Sequence, residues 1–97
     1  MDVERVTQME GCLNECATAT AELSAQLDRM EALGPRMAGL FAYYGSADWY
    51  EDRDGELPEG VAAGVLSEDA VYDEITAVRD AAFRMLELAT DILKNRI

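Results

Sequence analysis

The first third of the chain carries a stripe of apolar and small residues, which we call the N-terminal seam. Its positions alternate three and four residues apart, the heptad spacing of a helix that packs along one side. No strand pattern produces this spacing, so it predicts a helix over about residues 2–33. Small flanking residues would let a neighbouring helix approach closely. The seam consists of Val6, Met9, Leu13, Cys16, Thr20, Leu23, Leu27 and Met30.

A glycine and a proline interrupt this pattern in the stretch LGPRM at residues 33–37. Pro35 cannot donate a backbone hydrogen bond and its ring clashes with the preceding turn, whereas Gly34 is suited to end a helix. The three–four rhythm nevertheless continues, which predicts a further helical piece over about residues 35–44. The sequence leaves open whether the helix kinks or breaks at Gly34 and Pro35.

Two serines mark the helices that follow. Ser46 is placed to cap a short helix over about residues 47–53, and a loop is expected over residues 54–66. Ser67 is placed to cap a long helix over about residues 68–95, whose apolar positions repeat the heptad spacing. These positions form a second seam, which consists of Val71, Ile75, Val78, Ala82, Met85, Ala89 and Ile92.

Two long amphipathic helices joined by a short connection predict an all-α fold. The chain has 97 residues, enough for a single helical domain over residues 1–97. We expect a long antiparallel helical hairpin with one or two short helices at the connection. Leu86, Leu88 and Leu93 widen the apolar face of the last helix. Either the short helices or a second copy of the chain, in a four-helix bundle, would cover that face, and the sequence leaves both alternatives open.

Five of the seven aromatic residues form an aromatic cluster beside a run of acids: Phe41, Tyr43, Tyr44, Trp49 and Tyr50. Such rings close the end of a helical bundle, and Tyr and Trp also anchor protein interfaces. The sequence favours rings that dock the connecting loop onto the helices, with a protein-binding surface as the alternative. The candidate interaction residues are Tyr43, Tyr44, Trp49, Tyr50, Asp52, Asp54 and Tyr72.

Negative charge narrows the range of partners. The net charge is −12, and residues 48–74 alone carry ten acids and one base, Arg53, which gives −9. This sign disfavours direct binding to nucleic acid and to anionic membranes. It favours solubility and, as a partner, a basic protein. An acidic decoy that blocks a basic nucleic-acid-binding protein is therefore one alternative function.

The residue types present limit the chemistry. The chain has no His, which excludes Ser-His-Asp and Cys-His sites within it. Cys12 and Cys16 lack the two further ligands of a zinc site, and we expect them to be buried as small apolar residues. The stretch DRDG at residues 52–55 lacks two of the ligands of an EF-hand, and no phosphate-binding loop is present. Neither a cofactor nor a metal is therefore expected.

Two carboxylate pairs keep one enzymatic alternative open. Asp28 with Glu31, and Asp48 with Glu51, have a spacing similar to that of the magnesium ligands of helical nucleotide pyrophosphohydrolases. Solvated helix charge explains both pairs. Asp28 follows the seam residue Leu27 and should point outward, and Glu31 flanks the N-terminal seam. A carboxylate–metal hydrolase is thus a minor alternative, and we expect the chain not to be an enzyme.

The sequence also predicts where the protein resides. No window approaches the roughly 18 apolar residues that a membrane span needs. The first residues, MDVERVTQME, are acidic and lack the apolar stretch of a signal peptide. A cytoplasmic location is the expectation.

Several motifs recur in order in a known bacterial family. YYGSADWYED at residues 43–52 and GVLSEDAVYDEI at residues 64–75 resemble domain of unknown function 4298, as do the LGPRM break and RMLELATDILK at residues 84–94. The resemblance implies a small, mostly helical bacterial protein without an assigned activity, so it transfers no catalytic residue. It makes eight positions the ones to probe: Tyr43, Tyr44, Gly45, Trp49, Ser67, Glu68, Asp69 and Tyr72.

These patterns together predict a non-enzymatic module for protein–protein interaction or self-association. The heptad spacing of both seams and the widened apolar face of the last helix are the basis of this prediction. The expected partner is either another protein or a second copy of the chain in a homodimer.

Overall fold

A computed structural model describes all 97 residues, which form three α-helices and one 3-10 turn without any strand. Helix α1 spans Val3–Tyr43, α2 spans Ala47–Asp54, the 3-10 turn spans Gly64–Leu66 and α3 spans Ala70–Asn95. The predicted all-α fold is confirmed. Along the chain, two long helices, α1 and α3, are separated by two shorter helical segments.

Helix α1 runs unbroken through Gly34 and Pro35 for 41 residues, a length of about 60 Å at 1.5 Å per residue. The two predicted helical pieces are therefore one. Pro35 removes one helical hydrogen bond, but the turns on both sides keep theirs. The helix ends at Tyr43, and Gly45 two residues later has a φ of 77°, in the left-handed region that favours glycine. None of the helices has the length and apolar character that crossing a membrane requires.

Ser46 caps helix α2 as predicted. The Trp49 backbone N–H donates to the Ser46 hydroxyl oxygen at 3.2 Å, and Ser46 has the extended backbone of an N-cap. Asp48 lies in the first turn, where the helix dipole favours a carboxylate.

Ser67 performs the same role for α3. The Ala70 backbone N–H donates to the Ser67 hydroxyl oxygen at 3.1 Å, and Ser67 has an extended backbone at φ −71° and ψ 151°. Asp69 already has helical backbone angles. Ser67 is thus the physical N-cap, although the regular hydrogen-bond pattern of α3 begins at Ala70, two residues after the predicted start.

The chain divides into two compact units, Met1–Met37 and Ala38–Ile97. Whether residues 1–97 act as a single domain stays a prediction. The buried core belongs to the second unit and consists of only two side chains, Trp49 and Val71. Half-buried residues of the same unit supplement it: Leu40, Phe41, Tyr43, Tyr44, Val65, Leu66, Ile75 and Val78.

The first unit is a helix whose side chains are mostly exposed. No residue of α1 is buried, and the six large apolar residues of the N-terminal seam are exposed. The prediction that Cys12 and Cys16 are buried is wrong, because both thiols are free and exposed on this helix. Heptad spacing places side chains on one face of a helix, but it does not supply a neighbour that covers them.

Candidate functional site

Trp49 lies at the centre of the aromatic cluster and is 3% exposed. The cap at Ser46 fixes the first turn of α2, which positions the indole. The indole N–H of Trp49 donates to the backbone carbonyl of Val65 at 3.0 Å. A buried Trp that satisfies its one polar atom in this way stabilises the fold and fastens α2 to the 3-10 turn.

Tyr44 makes a second connection to the same stretch of chain. Its hydroxyl donates to the backbone carbonyl of Glu68 at 2.5 Å. Its ring meets that of Trp49 edge to face, with the centroids 5.1 Å apart and the planes at 69°. Two ring donors from the end of α1 and the start of α2 thus hold the backbone immediately before α3.

Arg53 joins the cluster, and the sequence-based candidates did not include it. Its guanidinium carbon lies 5.0 Å from the Trp49 ring centroid and 4.9 Å from that of Tyr50. These distances place the cation within reach of the negative faces of both rings. The sequence does indicate this cation–π contact, because Arg53 is the only base of residues 48–74 and follows Trp49 by one helical turn.

Tyr43 and Asp52 form a separate pair at the edge of the cluster. The Tyr43 hydroxyl donates to a carboxylate oxygen of Asp52 at 2.5 Å. This hydrogen bond, together with the negative charge of the acceptor, raises the pKa of Tyr43 to about 12. The pair closes the turn around Gly45, because nine residues separate its members along the chain.

An open cavity of about 370 Å³ lies beside Trp49 in the second unit. We call it the aromatic–acidic cavity. Two of its rings, Tyr50 at 48% and Tyr72 at 60% exposed, remain accessible to a partner. The residues that line it are Tyr44, Gly45, Trp49, Tyr50, Arg53, Glu68, Asp69 and Tyr72.

The cavity brings together four of the seven candidate interaction residues, Tyr44, Trp49, Tyr50 and Tyr72. Tyr43, Asp52 and Asp54 do not line it: the first two pair with each other, and Asp54 lies 3.5 Å from Arg53 in an exposed ion pair. The cavity brings exposed rings together with the acidic residues Glu68 and Asp69. Such a surface can recognise cations and ring faces by hydrogen bonding and cation–π contact.

The carboxylate pairs of the hydrolase alternative lie elsewhere on the surface. Asp28, Glu31, Asp48 and Glu51 are all exposed. No three Cys, Asp or Glu side chains come close enough to hold a metal ion together.

Comparison with known proteins identifies one family. The family model described as a domain of unknown function, DUF4298, matches residues 6–88. Neither the curated proteins nor the solved structures gave a match. The matched stretch includes the whole N-terminal seam, the aromatic cluster and most of α3.

Proposed function

Because the chain belongs to the DUF4298 family, whose description assigns no function, we propose a function from its own surfaces. The chain is a non-enzymatic protein–protein interaction module that self-associates through the N-terminal seam. One observation carries this proposal: the six large apolar side chains of the seam are 38–61% exposed.

An exposed heptad seam is costly for a single chain. Most of the stability of a helix in a protein comes from packing its apolar face, and α1 has no buried residue. Association would remove the seam from water, at about 25 cal/mol for each Å² of apolar surface buried. The seam is therefore the part of the first unit that gains most from a partner.

A second copy of α1 matches this seam. Apolar residues repeating every 3.5 positions drive helices to supercoil around each other, so that each side chain enters a gap on the facing helix. Ala17, Ala19 and Ser24 flank the seam and allow the two backbones to come close. Four outer acids remain in water in such a pair: Glu4, Glu15, Glu22 and Asp28.

Matched charge substitutions on two faces of α1 test the proposal. Leu13→Glu/Leu23→Glu introduces two carboxylates into the seam, whereas Thr18→Glu/Ala25→Glu introduces the same charge on the opposite face. Sedimentation equilibrium over a wide concentration range should show a dimer for the wild type and the outer-face variant, and a monomer for the seam variant. A wild-type monomer at every concentration, or equal behaviour of the two variants, would overturn the proposal.

A second candidate function is supported by the aromatic–acidic cavity. We propose that the cavity binds a basic segment of another protein, which is also the surface that an acidic decoy would use. Tyr50 and Tyr72 stay exposed at its rim, and Glu68 and Asp69 lie beside them. The net charge of −9 over residues 48–74 would steer a basic partner toward this surface.

The rim rings permit a clean test of this second candidate. Tyr50→Ala/Tyr72→Ala removes exposed rings, whereas Trp49→Ala would also disturb the core. Pull-downs from lysate at low and high salt should recover a basic protein with the wild type and lose it with the rim variant. Asp52→Asn/Asp54→Asn/Glu56→Gln should weaken the same interaction mainly at low salt. Recovery of the same protein by all variants would exclude the cavity as its binding site.

A further inference from the structure

The charge pattern of α1 points to a specific geometry of self-association. We infer that two copies of α1 lie parallel and in register, so that Cys16 of one copy faces Cys16 of the second copy. This inference rests on the self-association proposed above and adds the direction of the helices. It follows from the residues that flank the N-terminal seam.

The residues of the N-terminal seam occupy the first and fourth positions of successive heptads. Taking Val6 as the first position of a heptad, Cys16 falls at the fourth position of the next one. The flanking residues then divide into two rows, one on each side of the seam. One row holds Arg5, Cys12, Ala19 and Gln26, and the other holds Glu10, Ala17, Ser24 and Glu31.

In a parallel pair, each residue of the first row faces a residue of the second row, five positions further along the other copy. Arg5 then meets Glu10 of the second copy, and the symmetry of the pair makes this contact twice. Gln26 meets Glu31 of the second copy, so no like charges face each other. In the parallel arrangement, each charged residue next to the seam therefore faces one of opposite charge, except Glu31, which faces the side-chain amide of Gln26.

In an antiparallel pair, each row faces the same row of the second copy. Arg5 is the only base in the two rows, and in this arrangement it faces a row without acids. Glu10 and Glu31 both lie in the other row, on the opposite side of the seam. The attraction between Arg5 and Glu10 is lost. Charge complementarity thus favours the parallel pair over the antiparallel one.

Parallel packing in register makes every layer of the interface from two identical residues. Cys16 then meets Cys16 of the second copy, and Thr20 meets Thr20. In the antiparallel pair that overlaps the full seam, Cys16 faces Thr20 of the second copy instead. Cys16 is exposed in the single chain, so an oxidant can reach its thiol before association.

A single-thiol variant, Cys12→Ser, tests the direction of the helices. Diamide oxidises two Cys16 thiols to one disulfide: the two thiols lose two protons and two electrons, and diamide is reduced to the hydrazine. A rapid covalent dimer on a non-reducing gel, reversed by dithiothreitol, is the expected result. Cys12→Ser/Leu13→Glu/Leu23→Glu, which cannot associate, should give only slow, concentration-dependent coupling.

A mixing experiment detects the opposite geometry. Cys12→Ser is mixed with Cys12→Ser/Cys16→Ser/Thr20→Cys, which carries its only thiol at position 20. Preferential coupling between the two proteins, with sedimentation showing a dimer, would overturn the parallel inference and leave self-association standing. A monomer in sedimentation would overturn both.

A charge exchange gives an independent readout. Arg5→Glu places two acids across from each other in the parallel pair and should weaken association several-fold at low salt. Arg5→Glu/Glu10→Arg restores opposite charges in the parallel pair, and association should return toward the wild-type value. Failure of the double exchange to rescue association would contradict the parallel register.

Discussion

Leu13 in the N-terminal seam is 61% exposed, whereas Trp49 in the aromatic cluster is 3% exposed, although both are large apolar residues on helices. Trp49 lies four residues after the turn at Gly45, and both Tyr44 and the backbone carbonyl of Val65 contact its indole. Leu13 lies within the long, uninterrupted helix α1. Its seam recurs every heptad along the same face, and the chain does not bury it.

The comparison separates two uses of apolar surface. The side chains of Trp49 and Tyr44 each carry a hydrogen-bond donor on an aromatic ring, and each donates to a backbone carbonyl within the same unit. The side chains of Leu13 and Leu23 have no polar atom, so packing alone can hold them in place. The aromatic cluster is thus suited to closing the fold of one chain, and the N-terminal seam is suited to joining two chains.

The largest expected effect is on the buried ring. Trp49→Ala should destabilise the second unit by about 3–5 kcal/mol, because it leaves a cavity and removes the bond to Val65. Urea unfolding followed by far-ultraviolet circular dichroism measures this loss. Trp49→Phe, which keeps a ring but lacks the N–H donor, should cost less. Equal stability of Trp49→Ala and wild type would show that the ring is not a core residue.

Leu23→Ala sharpens the comparison, because its effect should depend on protein concentration. In dilute solution the side chain is exposed, and its loss should change stability by less than about 0.5 kcal/mol. In concentrated solution the same side chain would be buried between two copies, and the loss should reach about 2 kcal/mol or more. Urea unfolding at both concentrations measures the difference. An effect independent of concentration would contradict burial between two copies.

A smaller effect is expected at the cap of α3. Ser67→Ala leaves the Ala70 N–H without its acceptor and should cost about 1 kcal/mol of stability in the second unit. Ser67→Asp, which keeps a side-chain acceptor, is the matched control and should retain most of the stability. Thermal unfolding compares the three proteins. No loss in Ser67→Ala would mean that Asp69, rather than Ser67, begins the helix.

The smallest effect at neutral pH concerns Tyr43. Its pKa is about 12 in the folded chain and about 10 when unfolded, so the folded state holds the phenolic proton more tightly. The stabilisation is complete below about pH 10 and is lost as the pH rises toward 12. Tyrosinate absorbance should show a titration near pH 12 that is missing in Tyr43→Phe. An unchanged titration curve would show that Tyr43 does not donate to Asp52.

Local signals predicted much of this architecture. Ser46 and Ser67 both cap helices as expected, since an N-cap depends on residues within one turn. The sequence did not decide the outcome at Pro35, because one missing hydrogen bond competes with the helical hydrogen bonds of the turns on both sides.

Features that depend on distant contacts were harder to predict. Cys12 and Cys16 lie on the face that the heptad spacing indicates, but burial needs a neighbour that spacing does not describe. The bond between Tyr43 and Asp52 depends on the path of the chain around Gly45. Arg53 was not predicted as a site residue, because it is a single base within an acidic stretch. Its spacing of one helical turn from Trp49 along α2 nevertheless places it beside the ring.

The hydrogen bond from Tyr44 to a main-chain acceptor has a consequence for the substitutions that the chain tolerates. Tyr44 donates to the main chain of Glu68, and every amino acid carries that carbonyl oxygen. The identity of residue 68 is therefore free to vary without breaking the bond, whereas Tyr44 cannot be replaced by Phe without losing it. In a saturation library, position 44 should reject most substitutions while position 68 accepts a broad range. The bond thus constrains the sequence at only one of its two ends.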